Sequence, residues 1–505
     1  GVAIFDLRAG RGRLHGLGRG SPMRHLLYVC AHLTLVQGLL LRGPTSRPVV
    51  RGRMAFPPRM DTSEDLATEV SYTVTLLSSI RDVKRKDWNA LAPDASPFVE
   101  WDWLHALEAS GCACAETGWT PYHLVVCSPG TTKLVAAMPL YLKSHSMGDF
   151  VDDQQWADEA RQGGANYYPK LVSAVPFTPC QGSRVLMSEA LSSGVQAQLL
   201  VLLARYLRTL AEQNKVSSVH VHFCTKEEAA VFAQAGFHHR TGLQYHWHNN
   251  APPAANASAS TELSHTPRPY RDFDDFLGGF RSKRRLKIQR ERRAVGAELE
   301  MHEVRGEAIT PELLALAFHM YKRTVDQRLL GRQYLNERFF MMLAEGFRHR
   351  LCLIFVRRRA DGQLIAATLN VQKGAVFYGR YWGSSHKRPF LHFEACYYTP
   401  IQLAIERGWE RVEVGAGTSE YKFSRGFEPS LVHSVHWMRD EGLQSSVAAH
   451  VARQHDALSA MLRRLRTHAV LKERLPDRLR AGGRLEQLDG EPGLDVHEGE
   501  SAPLG

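Results

Sequence analysis

Two stretches far apart in the chain follow one plan. HVHFC…AGFHHRTGLQYHW (220–247) and VEVGAG…RGFEPSLVHSVHW (412–437) each run strand, excursion, Gly-Phe, strand, and end near a His-Trp pair. Between them lies APPAANASASTELSHTPRP (251–269), an Ala/Ser/Pro stretch of the kind that links folded bodies without joining either core. An echo across a linker argues for two domains of one design rather than a single large core. The length of 505 residues suits that division, with tails to spare.

The elements fall in the same order on both sides. SYTVTLLSSI (71–80), YHLVVCS (122–128), KLVAAMPLYLKSH (133–145), VSSVHVHFC (216–224) and LQYHWHN (243–249) read as strands, with a Pro129-Gly130 turn. Helical spacing marks the segment with Trp101, Leu104 and Leu107, then 195–214 and 227–236, the last ending at Gly236. Beyond the linker, helices are predicted over 272–297, 311–326 and 336–347. Strands follow over 351–359 and 364–383, around Asp361-Gly362 and Lys373-Gly374 turns. A helical stretch reaching Gly408 precedes strands over 411–417 and 431–438. This is an α/β (α+β) order with mixed central sheets flanked by helices, and it suits two tandem GNAT-like domains. The expected limits are 70–250 and 270–445, with a basic helix (446–474) and a Gly/Asp/Glu-rich end filling 446–505.

Residues 1–65 are set apart by composition. The first 60 contain ten Arg, no Lys and one acid, Asp6, a pattern that fits an organelle (chloroplast or mitochondrial) transit peptide or a non-native leader. The apolar run 25–41 carries His25, His32, Thr34 and Gln37 and falls short of a bilayer span, so no integral membrane segment is expected. Eight scattered cysteines without a C-x-x-C predict no zinc or disulfide framework and point to a reducing interior. The formal net charge of +11 permits an anionic partner such as CoA or tRNA without requiring one, and nothing suggests DNA.

Two regions concentrate reactive side chains. In 141–185, Tyr141, Lys143, His145, Asp149, Trp156, Tyr167, Tyr168, Lys170 and Arg184 lie on an irregular, proline-broken stretch. Rings supplying area and charges fixing orientation are how a polar substrate is held. The structural alternative is a loop packed on the sheet with its polar groups satisfied internally. In 380–409, a strand end, a Ser/His/Lys/Arg turn and a helix start have the parts of an anion site, with His392, Glu394, Tyr397 and Tyr398 on the helix. Glu394 reads either as a general base or as a buried carboxylate bonded to a Tyr or Arg. Thr399-Pro400 has the form of a helix start, or a kink. The run 281–293 holds eight Lys/Arg and reads as a solvated face or as a phosphate contact. No P-loop, zincin, esterase or EF-hand motif occurs, nor a clean CoA pyrophosphate loop, and no metal is expected.

Taken together, PFVEWDWLHALEASG (97–111), GWTPYHL (118–124), PLYLKSHSMGDFV (139–151), YYPKLVSAVPFTPCQGSRV (167–185), LHFEACYY (391–398) and GAGTSEYKFSRGFEP (415–429) resemble the FemAB-like predicted N-acyltransferase family. The resemblance spans about 72–445. It implies two GNAT-like domains and kinship to the Fem peptidyltransferases, which move an amino acid from aminoacyl-tRNA to a peptide amine in cell-wall precursors. The last family motif usually runs Gly-Ala-Gln-Gly-Glu-His-Lys. Here it is one residue longer, lacks the Gln and has Tyr421 for the His, while Glu420, Lys422 and Arg425 match.

The resemblance implies transfer of an acyl or aminoacyl group, from acyl-CoA or aminoacyl-tRNA, to a small-molecule or peptide amine in a cleft between the domains. Glu394 or Glu420 would act as base, and Lys422 or Arg425 would stabilise the oxyanion. The residues of 141–185, with His392, Tyr397 and Tyr398, would hold substrate. The rival expectation is a non-catalytic GNAT-like module that recognises a peptide or glycan.

Overall fold

The computed structural model describes residues 33–35, 50–55, 71–94, 96–251, 268–327, 332–417 and 420–467. Residues 252–267 of the linker expected at 251–269, most of the leader and the chain beyond 467 lie outside these residues. The chain forms two compact units, each assembled from separate segments: 1–177, 181–239 and 433–448 make the first, and 178–180, 240–432 and 449–505 the second. The interval 270–445 thus contributes to both.

In the first unit one sheet runs Leu33–Leu35, Val50–Ala55, Ser71–Leu77, His123–Cys127, Leu134–Met138, Leu186–Met187, every neighbouring pair antiparallel. Two of its strands come from the segment set aside as a leader, because Val50–Ala55 pairs along the whole edge of Ser71–Leu77. A second set of strands places Trp119–Pro121, Tyr141–Lys143, Lys170–Ser173 and Ser218–Cys224 side by side, and residues 433–438 add to the last of these. The strand expected over 133–145 is broken at Pro139, which has no N–H for a ladder.

The helix Ser193–Gln213 is capped by the Ser192 side chain, which accepts from Val195 N. Its leucines at 199, 202, 203, 207 and 210 form one stripe, buried against the sheet residues Val74, Leu124 and Val219. Gln154–Gln162, read from the sequence as irregular, is also helical and buries Trp156, Ala157 and Ala160.

The second unit is a mixed sheet ordered Leu299–Arg305, Leu351–Arg358, Leu364–Lys373, Val376–Ser384, Arg411–Glu413, followed by residues 246–248 of the strand His238–His248. The helix expected over 272–297 is two, Phe273–Gly278 and Ser282–Glu298, because Gly278-Gly279 favours a break. Pro311–Asp326 starts on a Thr310 cap with proline at its first position, and Glu337–Gly346 on an Asn336 cap. Gly383 lies against the backbone of the first of these helices, where a Cβ would come 1.9 Å from the Met320 carbonyl. Any larger residue there displaces the strand.

Candidate functional site

The cluster in the first unit is built from four strands and the segment 144–153. Tyr141, Lys143 and Lys170 project from adjacent strands and are fully buried. Lys143 Nζ lies 3.1 Å from Asp149 Oδ1 and 3.4 Å from the centre of the Trp119 ring, while Lys170 Nζ lies 2.9 Å from Asp149 Oδ2 and 2.6 Å from Asp153 Oδ2. The Tyr167 hydroxyl donates to Asp153 at 2.7 Å, and Lys170 donates to Ser146 Oγ, which pairs with the Tyr168 hydroxyl at 2.8 Å.

Burial pushes Lys143 down to about 7 against the pull of Asp149. Burial acts on Lys170 too, but Asp149 and Asp153 together outweigh it and hold that ammonium above its ordinary value. Asp149 is likewise penalised by burial and nonetheless held low, chiefly by Lys170.

Trp156 stacks on His220, whose Nδ1 meets His436 Nδ1 at 2.8 Å. The His145 ring covers Gly118. Arg184 stands apart from the two lysines, donating to the His222 and Gly182 carbonyls. The sequence allowed an open groove here. In the structure these groups, apart from half-buried His145 and Tyr168, are buried, and Lys143, Asp149, Tyr167 and Lys170 are joined in one network through Asp149 and Asp153.

In the second unit the structure separates the expected catalytic residues. Glu394 accepts from Arg292 Nε and Nη2 at 3.0–3.2 Å, and Thr399 Oγ1 lies 3.4 Å away. This is the bonded-carboxylate alternative: a guanidinium occupies the lone pairs a base needs. Arg425 is similarly engaged, with Nη2 2.9 and 3.0 Å from the two oxygens of Glu291, which also accepts from the Tyr398 hydroxyl. The Arg425 guanidinium also lies 3.4 Å over the Phe393 ring.

The basic helix therefore turns Glu291 and Arg292 inward, while Arg281, Lys283, Lys287, Arg290 and Arg293 remain exposed. Thr399 does not cap a new helix. Residues 394–398 form a π turn that carries the helix through Pro400, whose ring and missing N–H disfavour ordinary α geometry. Tyr397 packs edge-on to Phe427 and His392.

A second constellation lies where two parallel strands part. Val376–Ser384 pairs with Arg411–Glu413 only as far as Tyr378 and Glu413. Immediately beyond, its register with the other neighbour slips, with Asn370 opposite Gly379 and Leu369 opposite Tyr381. Arg380 is the extra residue, and a bulge bends a strand and re-aims its side chain.

The loop leaving Glu413 passes through Gly415 (φ +78°) and Gly417 (φ +114°), conformations that favour glycine. Lys422, buried, donates to the carbonyls of Gly415, Ala416 and Gly417 at 2.9, 3.0 and 3.2 Å. Burial and the neighbouring Arg380 push Lys422 down to about 8. Across a planar trans peptide the N–H opposes the C=O. The amides of Ala416 and Gly417 therefore face away from Lys422.

At the apex, Glu413 lies 3.0 Å from Arg411, 3.8 Å from Arg380 and 4.0 Å from His246. Burial would raise Glu413, but His246, Arg411 and Arg380 hold it below the usual range, and burial pushes His246 down to about 4. Arg380 and Glu413 are not singled out by the sequence, and His246, which reads there as a strand-surface residue rather than a metal ligand, is buried in the structure. The available signal was an Arg-x-Glu on a short valine-flanked strand, where charge is out of place.

At the far end of the strand carrying Arg380 is a cavity of about 550 Å³, lined in part by Trp382, Ser384, His386, Lys387, Arg388 and His392. It holds the anion-site parts expected over 380–409. Glu420 opens the short helix Glu420–Phe423, and its side chain lies outside the described residues. Among the described residues no His, Cys, Asp or Glu group is arranged to hold a metal, and no helix is long and apolar enough to cross a membrane.

Two units of mixed α/β structure, one with parting parallel strands, define the architecture. The chain belongs to the FemAB-like family, described as peptidoglycan biosynthesis/recognition, whose model matches residues 79–473. Similar solved structures include FemX, with 12% identity over 72% of this chain and 98% of that one, TM-score 0.45. L-PGS from Bacillus licheniformis shares 10% identity over 68% and 93%, TM-score 0.41. A tandem GNAT protein from the clavulanic acid biosynthesis pathway shares 14% over 73% and 98%, TM-score 0.36. A search of curated proteins finds none that matches.

Proposed function

We propose that the protein is an acyl- or aminoacyltransferase that acylates an amine at the wedge of the second unit. The observation that carries this reading is the parting of Val376–Ser384 from Arg411–Glu413 beside a loop whose amides are turned outward by Lys422. Membership of a family named for peptidoglycan biosynthesis supports a peptide or amino-sugar amine as acceptor.

An acyl carbonyl lodged between the strands receives hydrogen bonds from the Ala416 and Gly417 amides as its oxygen gains charge. The amine nitrogen bonds to the carbonyl carbon, and the bond from that carbon to the donor's sulfur or oxygen breaks. The amine's proton passes to His246, which is neutral at pH 7; burial and Arg411 oppose the imidazolium, so it forms only transiently, with Glu413 partly offsetting them. The departing thiolate or alkoxide then takes that proton and leaves as the thiol or hydroxyl. Glu420 is the alternative base. No covalent enzyme intermediate is required, so most of the gain is positioning.

The donor is an acyl-CoA or an aminoacyl-tRNA. Both carry phosphates suited to the cavity at His386, Lys387 and Arg388. The test supplies labelled acetyl-CoA and labelled aminoacyl-tRNA in separate reactions with pooled cellular amines. Label in an amide product with one donor, lost in Lys422→Met, is expected. No amide product with either would sink the reading.

A further inference from the structure

Two buried ammonium groups in the first unit converge on one carboxylate as a receptor converges on its ligand. We propose that Lys143 and Lys170 form a binding site for the carboxylate of a small acidic compound, and that Asp149, carried on the segment 144–153, fills it when that compound is absent. The site is independent of the transfer reaction assigned to the second unit.

Three observations lead there. The first is the geometry: the two Asp149 oxygens are divided between Lys143 at 3.1 Å and Lys170 at 2.9 Å, and both lysines are fully buried. A buried ion network of this kind adds little stability over apolar packing, so its presence asks for another reason.

The second is a surplus of donors that the aspartate does not reach. Trp119 Nε1, the Tyr141 hydroxyl and the His222 ring, which burial keeps neutral and which therefore carries one N–H, are buried and make no close hydrogen bond among the described residues. His222 Nε2 faces Asp149 Oδ2 at 3.8 Å and helps to hold that carboxylate low, with room for a closer acceptor, and Trp119 Nε1 lies 3.3 Å from where a Cβ on Gly148 would stand. An occupant replacing residues 148 and 149 would meet the Lys170 ammonium, the Lys143 amine, which a bound carboxylate keeps protonated, an imidazole and an indole N–H. A carboxylate bearing a second acceptor, such as an amide carbonyl, matches that set.

The third is how the segment is held. Phe150 adopts φ +56° without being glycine, and Met147 and Phe150 are 38% and 48% exposed. Asp153 stands at the N-cap of Gln154–Gln162, yet makes no capping bond and gives its carboxylate to Lys170 instead. Charge thus anchors a segment that belongs to no sheet ladder, and competing charge can release it.

Hydrogen exchange on the full-length protein tests this, with N-acetylglycine as probe and N-acetylglycinamide as its uncharged control. The proposal expects N-acetylglycine to speed exchange across 144–153 saturably, about threefold or more, while 71–77 is unchanged and the amide has no effect. No response, or an equal response to the amide, overturns it. Asp149→Ala provides a second arm. Its lowered Tm should recover saturably with acetate, and a folded Asp149→Ala that ignores acetate also overturns the proposal. Should that variant fail to fold, exchange on the natural chain decides.

Discussion

The first unit buries two lysines against two aspartates, whereas the second holds one against three backbone carbonyls. In the first case each charge answers another, and the cluster closes on itself. In the second, the ammonium fixes a loop and leaves that loop's amides turned elsewhere. Buried charge is therefore not a marker of chemistry by itself; what matters is which groups remain to meet a substrate. The same distinction holds within the second unit, where Glu394 and Arg425 are both chelated while Glu413 and His246 stand at the end of a strand pairing.

The comparison breaks most readily at Lys170. Replacing it with Met strands Asp149 and Asp153 in the core, and urea unfolding should show a loss of about 3–5 kcal/mol. A loss no larger than that of Lys143→Met would mean the aspartates are not held as described. Lys422→Met comes next. Its carbonyls are near solvent, so stability should fall by only about 1 kcal/mol, but amide formation should drop roughly 10²-fold once the loop amides lose their direction.

Glu394→Gln should cost about 1 kcal/mol, because Arg292 is partly exposed and its pairing is screened. Turnover should stay within about twofold, since the carboxylate contacts the guanidinium and not the reacting atoms. A collapse of turnover in that variant would restore the base role read from the sequence. A pH-dependent effect concerns Lys143, whose folded value near 7 lies below its ordinary 10.5. Between those values the unfolded chain binds more protons, so this lysine makes stability rise with pH across the window and penalises the fold below it. Lys143→Met should flatten that rise in Tm, and its stability relative to the natural chain should be best at pH 6–7.

Much of this architecture is legible in the sequence. Caps such as Ser192, Thr310 and Asn336, the stripe at 199–210 and the glycine turns fix the elements to within a few residues. The stretch 412–429 also stood out correctly as a strand followed by an unusual loop, and Lys422 was named in it. What escaped depends on register and depth. Arg380 becomes special only because Gly379 and Tyr381 face Asn370 and Leu369, which no local pattern encodes. Arg292 and Glu394 are 102 residues apart, and each alone reads as an ordinary helix charge. Lys143 and Lys170 read as substrate-holding because rings and charges cluster on an irregular, proline-broken stretch, whereas their burial against Asp149 and Asp153 depends on how that stretch packs. Pro400 signalled a disturbance, but its resolution as a π turn depends on the packing of Tyr397 and Tyr398.

The wedge is the central claim, and the most direct measurement compares amide formation by the natural chain, Lys422→Met and Glu394→Gln with the same labelled donor. The account predicts that the natural chain and Glu394→Gln form product at rates within about twofold while Lys422→Met falls by about two orders of magnitude. Full activity in Lys422→Met alongside an inactive, folded Glu394→Gln would contradict it.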